Sequence, residues 1–335
     1  MSSSQRTEVE LRDYFERELG WGSTTTGSIT FDFIQRAAAF ARGGVVLDAG
    51  AGYQRYKPFF GDSLYLAMEH ETAGVKNKNV VEYDLLTNSN RIPLNDSCVD
   101  AIFSTSTVEH LEDIELFFAE SARVLKPGGR LFIQVPFAYE EHETPYHFQH
   151  LTSFGLFHYY RKNSFEEIVV KPSSSSLYTA KYLTMTAIND DCTDVGKAAR
   201  NYRRRRSPRK PNLRHRTTLR VKRSLARSLF FVLSRGKDIA PHSGTRVPIG
   251  WIAEGKKTGE RIENTSPPAK EEFVQRNWCA HGGSFELVGA QVVPTPGIGP
   301  ARPLFDGVKL GFGVSEKGPK TSPDQTDGGD SPTTG

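Results

Sequence analysis

Residues 45–137 switch repeatedly between short β-branched runs and longer amphipathic ones, and this rhythm restricts the fold more than any other feature of the chain. VVLDAG from Val45, LYLAMEH from Leu64, NVVEYDL from Asn79, VDAIFSTS from Val99 and RLFIQVPF from Arg130 read as buried strands. ELRDYFEREL and ITFDFIQRAAAFA space their apolar residues by three and four, as helices do, and Gly43-Gly44 stops the second. DIELFFAESARVLKPGG reads as an amphipathic helix, with Asp113 as its N-cap and Gly128-Gly129 as its stop. EEIVVKP and VPIGWIAEGKK, from Val247, are the sixth and seventh strand candidates. Strands and helices alternating at this pace predict an α/β fold: a doubly wound, seven-stranded, mostly parallel sheet with helices on both faces.

Composition sets the limits of that domain. Hydrophobic residues make up 37% of the 335, fewer than in an average globular chain, so part of the length is expected to stay unpacked. From residue 258 onward Pro, Gly, Ser and Thr dominate, and 258–335 is expected to be a largely disordered tail behind a domain spanning 1–257. Within that tail, SFELVGAQVV has strand composition but no evident partner. The cysteines Cys98, Cys192 and Cys279 form neither a metal spacing nor a disulfide framework. With no apolar leader and no apolar run of membrane-spanning length, the expectation is a cytoplasmic protein.

The net charge of +4 conceals a strong asymmetry. Residues 197–227 hold 14 Lys and Arg and no acid, which leaves the rest of the chain at −10. This basic stretch belongs to a helical insertion at about 190–240, between strands six and seven, and its partner should be anionic.

Ligands of an open parallel sheet bind beyond the carboxyl ends of the strands. At that edge Asp48 ends strand one, and Gly50 and Gly52 let the backbone turn sharply and approach a ligand. The helix expected next would offer unpaired N–H groups. Glu69, about 20 residues on, is placed to reach ribose hydroxyls. Asp84, ending strand three, is placed to accept from an adenine amine. Three acids at one edge suit a cationic nucleoside cofactor and repel a pyrophosphate. The dinucleotide fingerprint is also incomplete, since Arg55 stands where its third glycine would be.

VVLDAGAG, YLAMEH, VEYDLL with RIPLNDSCVDAIFSTSTVEHLED, and FFAESARVLKPGGRLFIQVPF, in this order, resemble the class I S-adenosylmethionine-dependent methyltransferases, especially their small-molecule branch. ETPYHFQHLTSFGLFHYY extends the resemblance to roughly half the chain. The resemblance implies a Rossmann-like fold and S-adenosylmethionine as cofactor. It implies that Asp48, Gly50 and Gly52 hold the methionine end, Glu69 the ribose, and Asp84 and Leu85 the adenine. Residues 104–108, Ser104 and Thr107 among them, would line the pocket near the sulfonium. Glu109 and His110 match a common pair that either serves the site or braces the following turn. The family loop usually carries a third glycine where this chain has Gln54.

The acceptor side should come from AYEEHETPYHFQH, after strand five. His147 is the leading candidate for general base, with His150 or His142 as substitutes, because histidine titrates near neutral pH. Loop-bracing histidines are the bland alternative. A metal site using His147 and His150 on one helical face is a third reading, but no metal motif is recognisable and none is assigned. The expected acceptor is a small molecule, such as a sugar or glycolipid hydroxyl. Alternatives are an RNA or protein methyltransferase tethered by the basic arm, and a cofactor-binding scaffold without turnover. For the arm itself, a solvated helical insertion is the first reading, peripheral contact with an anionic membrane, with Phe230 and Phe231 dipping into the interface, the second, and nucleic acid the third.

Overall fold

The computed structural model describes residues 7–294 apart from 21, 23, 72–80, 88–90, 192–212, 235–239, 243–244, 262–265, 279–284 and 289–290. Seven strands form one sheet: β1 (Val45–Ala49), β2 (Leu64–His70), β3 (Leu85–Thr87), β4 (Val99–Thr105), β5 (Leu125–Pro136), β6 (Phe165–Pro172) and β7 (Gly250–Lys257). Their order is β3-β2-β1-β4-β5-β7-β6, with β7 antiparallel to both neighbours and the other pairs parallel. This is the Rossmann-like, mostly parallel sheet expected from the sequence.

The sheet is apolar on both faces because both are covered. Val45, Leu47 and Ala49 face one core with Leu64, Leu66 and Met68, while Val46, Tyr65 and Ala67 face the other. On the second face lies α2 (Thr25–Ala41), through Phe33, Ile34 and Ala37, preceded by the short α1 (Glu8–Asp13). α3 (Ile114–Val124) and α4 (Ser153–Lys162) cover the first face with Phe117, Phe118, Leu156 and Tyr160. At about 25 cal/mol per Å², burying such side chains is the main favourable term in folding. A buried polar tie sets the register at the sheet centre. The Asp100 carboxylate accepts from Val45 N–H at 2.9 Å and from Lys126 Nζ at 2.9 Å, joining β1 to β4 and β5.

Asp113 caps α3 as expected, accepting from Leu116 N–H at 2.9 Å. Gly128-Gly129 does not stop that helix. It ends at Val124, and Leu125 already belongs to β5. The glycines serve close approach instead. A Cβ on Gly129 would lie 2.8 Å from the Asp100 carbonyl oxygen, and one on Gly128 would lie 2.5 Å from the Arg261 nitrogen. Strand three is also displaced: it starts at Leu85, so Asp84 precedes it rather than ending it, and Asn79 lies outside the described residues.

The segment between β6 and β7 holds α5 (Ser176–Asp191) and α6 (Leu213–Leu233), so its helices begin well before residue 190. Most of the Arg-rich stretch between them lies outside the described residues. The boundary at 257 also differs from expectation. α7 (Lys270–Asn277) puts Phe273 and Val274 into the core, and Trp278 pairs with Leu94. The domain therefore continues through Trp278. SFELVGAQVV finds its partner within itself, as β8 (Phe285–Val288) and β9 (Gln291–Pro294) pair antiparallel. The tail from 295 onward lies outside the described residues.

Candidate active site

The strand order reverses between β1 and β4, and the glycine loop after β1 sits at that switch point. Gly50 has a φ of +82°, and a Cβ there would lie 2.1 Å from Thr107 Oγ1. The room a side chain would need at Gly50 is thus filled by Thr107, from the turn after β4. Gly52 has a φ of +51°, and a Cβ built on it would meet nothing within 4 Å. The open ground of the loop is at Gly52.

The loop's donors are largely spent inside the protein. Gly50 and Ala51 N–H both donate to the Met68 carbonyl at 3.0 Å. Gly52 N–H donates to Glu69 Oε2 at 2.7 Å, and Tyr83 O–H donates to the Gly52 carbonyl at 2.7 Å. The expected helix after the loop is replaced by a turn and a short 3₁₀ segment, Lys57–Phe60, so no helix N-terminus points at a ligand. Gln54, standing where a third glycine is usual, adopts a φ of +51°, and its amide donates to the Glu82 carbonyl. The chain keeps the glycine-like conformation without the glycine, a strain of about 1–2 kcal/mol.

Glu69 is the acid best placed on this edge. Its Oε1 accepts from His70 N–H at 2.9 Å while Oε2 holds Gly52, and desolvation raises its pKa. Each carboxylate oxygen retains a second acceptor site. Asp84 lies beside it but is engaged: Oδ2 accepts from Ala67 N–H at 2.8 Å and Oδ1 from Lys270 Nζ at 2.6 Å. Lys270 comes from α7, so the segment taken for a tail supplies a cation to the site edge.

Three of the expected cofactor residues lie elsewhere. Asp48 is 2% exposed and accepts from the Tyr65 hydroxyl. Desolvation, the largest influence on it, pushes its pKa up to about 7. Ser104 is fully buried and donates to the Ala49 carbonyl at 2.8 Å, tying β4 to β1. Leu85 is fully buried in the hydrophobic core. These three brace the crevice from within rather than line it.

The histidine loop is fastened to the turn that follows Thr107. Phe148 N–H donates to the Glu109 carbonyl at 2.9 Å, and Gln149 Nε2 donates to the Val108 and Leu111 carbonyls at 3.1 and 3.2 Å. Residues 147–150 are not helical, so His147 and His150 share no helical face. Their rings instead form a chain: His110 and His142 centroids lie 4.8 Å apart, His142 and His147 4.5 Å, and His147 and His150 4.6 Å.

His147 is not set up as the base that its position in the sequence suggests. His142 N–H donates to His147 Nδ1 at 3.1 Å, so a neutral ring carries its proton on Nε2, which is buried without a partner among the described residues. Desolvation keeps the ring neutral by lowering its pKa. Such a ring donates a hydrogen bond. His150 is exposed, no hydrogen bond engages its ring among the described residues, and desolvation lowers its pKa as well. Tyr182 of α5 stacks on Tyr139 at 5.1 Å and donates to Glu140.

A family model described as a methyltransferase domain matches residues 47–133 of this chain. The mitochondrial ubiquinone biosynthesis O-methyltransferase of Rattus norvegicus is 29% identical over 72 residues, which cover 22% of this chain and 21% of that protein. The malonyl-[acyl-carrier protein] O-methyltransferase of Hahella chejuensis is 36% identical over 61 residues, 18% of this chain and 22% of that one. The matched segments thus span about a fifth of these relatives' length. Among solved structures, a chain of the Haloferax volcanii complex between the Trm112 methyltransferase activator and a methyltransferase aligns with a TM-score of 0.41 and 15% identity, over 76% of this chain and 100% of that one.

Proposed function

We propose that this chain transfers a methyl group from S-adenosylmethionine to a hydroxyl of a small molecule, with a sugar or glycolipid as the acceptor class. The observation carrying this reading is that the histidine loop lies on the turn after β4, at the same sheet edge as Gly52 and Glu69. Both similar curated proteins are O-methyltransferases by name, which supports oxygen as the acceptor atom. The crevice suits the cofactor, since the space over Gly52 is open and Glu69 has acceptor capacity left for ribose hydroxyls. When bound, S-adenosylmethionine supplies an electrophilic methyl on a sulfonium. The chain's own residues then align the acceptor oxygen at about 3–3.5 Å and exclude water. Tyr139 and Tyr182 wall the acceptor side, and His150 takes the hydroxyl proton.

The test is transfer of label from S-adenosylmethionine to purified sugars and glycolipids. Labelled product is expected, and His150→Ala should lower kcat about 100-fold with cofactor affinity unchanged. Cofactor binding without product from any acceptor would make the chain a scaffold. Full turnover in His150→Ala would place the base elsewhere.

A second proposal concerns α6. Val221, Leu225, Leu229 and Val232 follow helical spacing and are all exposed, beside the exposed cations Arg220, Lys222 and Arg227. Ala226 and Phe230 form the buried side. Phe230, expected to dip into a membrane, is only 8% exposed, whereas Phe231 is 66% exposed. No helix among the described residues is long and apolar enough to cross a membrane. The exposed apolar and basic stripe suits the surface of an anionic membrane, which would hold the protein at its cytoplasmic face. Flotation with anionic liposomes is expected to recover the protein at low salt and to fall about tenfold in Phe231→Glu. Binding to RNA but not to liposomes would favour a nucleic-acid tether.

A further inference from the structure

Glu109 lies in the short turn Val108–His110 after β4. It is 2% exposed, and neither of its carboxylate oxygens has a hydrogen-bond partner among the described residues. A buried carboxylate without donors is costly, so something must compensate it. Two imidazole nitrogens face one of its oxygens: His142 Nε2 lies 3.7 Å and His110 Nε2 3.8 Å from Oε1. Both separations are too long for hydrogen bonds.

The far side of each ring explains why the near side is unfilled. His110 Nδ1 lies 2.8 Å from the Tyr146 carbonyl oxygen, and His142 Nδ1 lies 3.1 Å from that of Glu140. A carbonyl only accepts, so each Nδ1 carries a proton and each neutral ring presents its lone pair at Nε2. With both rings neutral, three electron pairs converge, with the ligand atoms all within 4.8 Å of one another. Backbone carbonyls that orient the outer nitrogen of a histidine are the usual support of a metal-binding imidazole. Ligands held at 2.0–2.1 Å from one ion lie about 3.0–3.4 Å apart, so each Glu109–histidine separation closes by a few tenths of an ångström, and the two imidazole nitrogens, within 4.8 Å of each other, close by up to about 1.4 Å through side-chain rotation.

We propose that Glu109, His110 and His142 bind a divalent first-row transition-metal ion beside the methyl-transfer crevice. Two imidazoles and a carboxylate suit zinc, iron or cobalt better than magnesium or calcium, which prefer all-oxygen sites. Three protein ligands leave coordination positions open. Glu109 follows Thr107, the residue packed on Gly50, by two residues, so the ion would be held by the same turn. An acceptor hydroxyl taking an open position would become more acidic. That last consequence rests on the O-methyl-transfer reading; the metal site itself does not.

The full-length chain, stripped with chelator, should bind one equivalent of Co²⁺ with a visible absorption band, and added azide should shift the band if positions are open. Metal analysis after Zn²⁺ loading should give the same stoichiometry. Glu109→Gln and His110→Ala should each weaken Co²⁺ at least about 100-fold, more than the loss of an outer-sphere partner would. Both variants should keep the wild-type circular dichroism and cofactor affinity, and His110→Ala serves where Glu109→Gln fails to fold. Absence of a stoichiometric ion, or full retention in both variants, would overturn the site and leave a protonated His142 as the partner of Glu109. Methyl transfer by the metal-free protein would leave the O-methyltransferase reading intact while removing the ion from it.

Discussion

Replacing Glu69 with alanine is expected to weaken S-adenosylmethionine binding by about 10–100-fold, or about 1.4–2.7 kcal/mol, as measured by isothermal titration. Two losses add in this variant. The ribose hydroxyls lose a charged acceptor, and Gly52 N–H, held at 2.7 Å by Oε2, loses the bond that sets the loop. Glu69→Gln separates them. Its amide oxygen can still hold Gly52, while its NH₂ must face His70 N–H, a donor that Oε1 now satisfies at 2.9 Å. Intermediate affinity is expected for Gln. Wild-type affinity in Glu69→Ala would remove this carboxylate from the cofactor site, and a matching fall in urea stability would mark the loss as structural.

The second large effect concerns stability. Asp48 titrates at 3.8 in an unstructured chain and is pushed up to about 7 in the folded protein, chiefly by burial. Below both values the carboxyl is protonated in both states and costs nothing. As pH rises the unfolded chain ionises first, so the folded state loses stability progressively until pH passes the folded value. Asp48→Asn removes this dependence while keeping an acceptor for the Tyr65 hydroxyl. The stability advantage of the Asn variant over wild type should widen by about 2–3 kcal/mol between pH 5 and pH 8, read from urea unfolding midpoints. An advantage that stays constant with pH would show that Asp48 ionises normally and that the burial argument fails.

Both residues are visible in the sequence as acids at strand ends, Asp48 expected at the methionine end of the cofactor and Glu69 at its ribose. The structure separates them. Strand alternation sends Asp48 toward Tyr65 beneath the loop, whereas Glu69 reaches the loop itself at Gly52. The same distinction runs through the rest of the site. Gly50 and Gly52 were read as one device, yet Gly50 makes room for Thr107 and Gly52 opens to solvent. His147 was read as a base from its residue type, and a single backbone N–H on Nδ1 makes it a donor.

The sequence by itself determined the sheet, the helices on its two faces and the edge where ligands bind. Those follow from apolar periodicity and from turns between neighbouring elements, which are local properties. It did not determine where the domain ends. Lys270–Asn277 carries only two large apolar residues in a polar setting, and it is held by contacts of its own residues with Asn95 and Asp84 and of the following Trp278 with Leu94, nearly two hundred residues away. Nor did it determine the surroundings of Glu109. The Glu-His pair and His142 were each noticed separately, but their nitrogens and oxygen meet only because the loop after β5 folds back onto the turn after β4. Protonation, pairing and ligation depend on through-space distances of a few ångströms, and only the tertiary structure sets those.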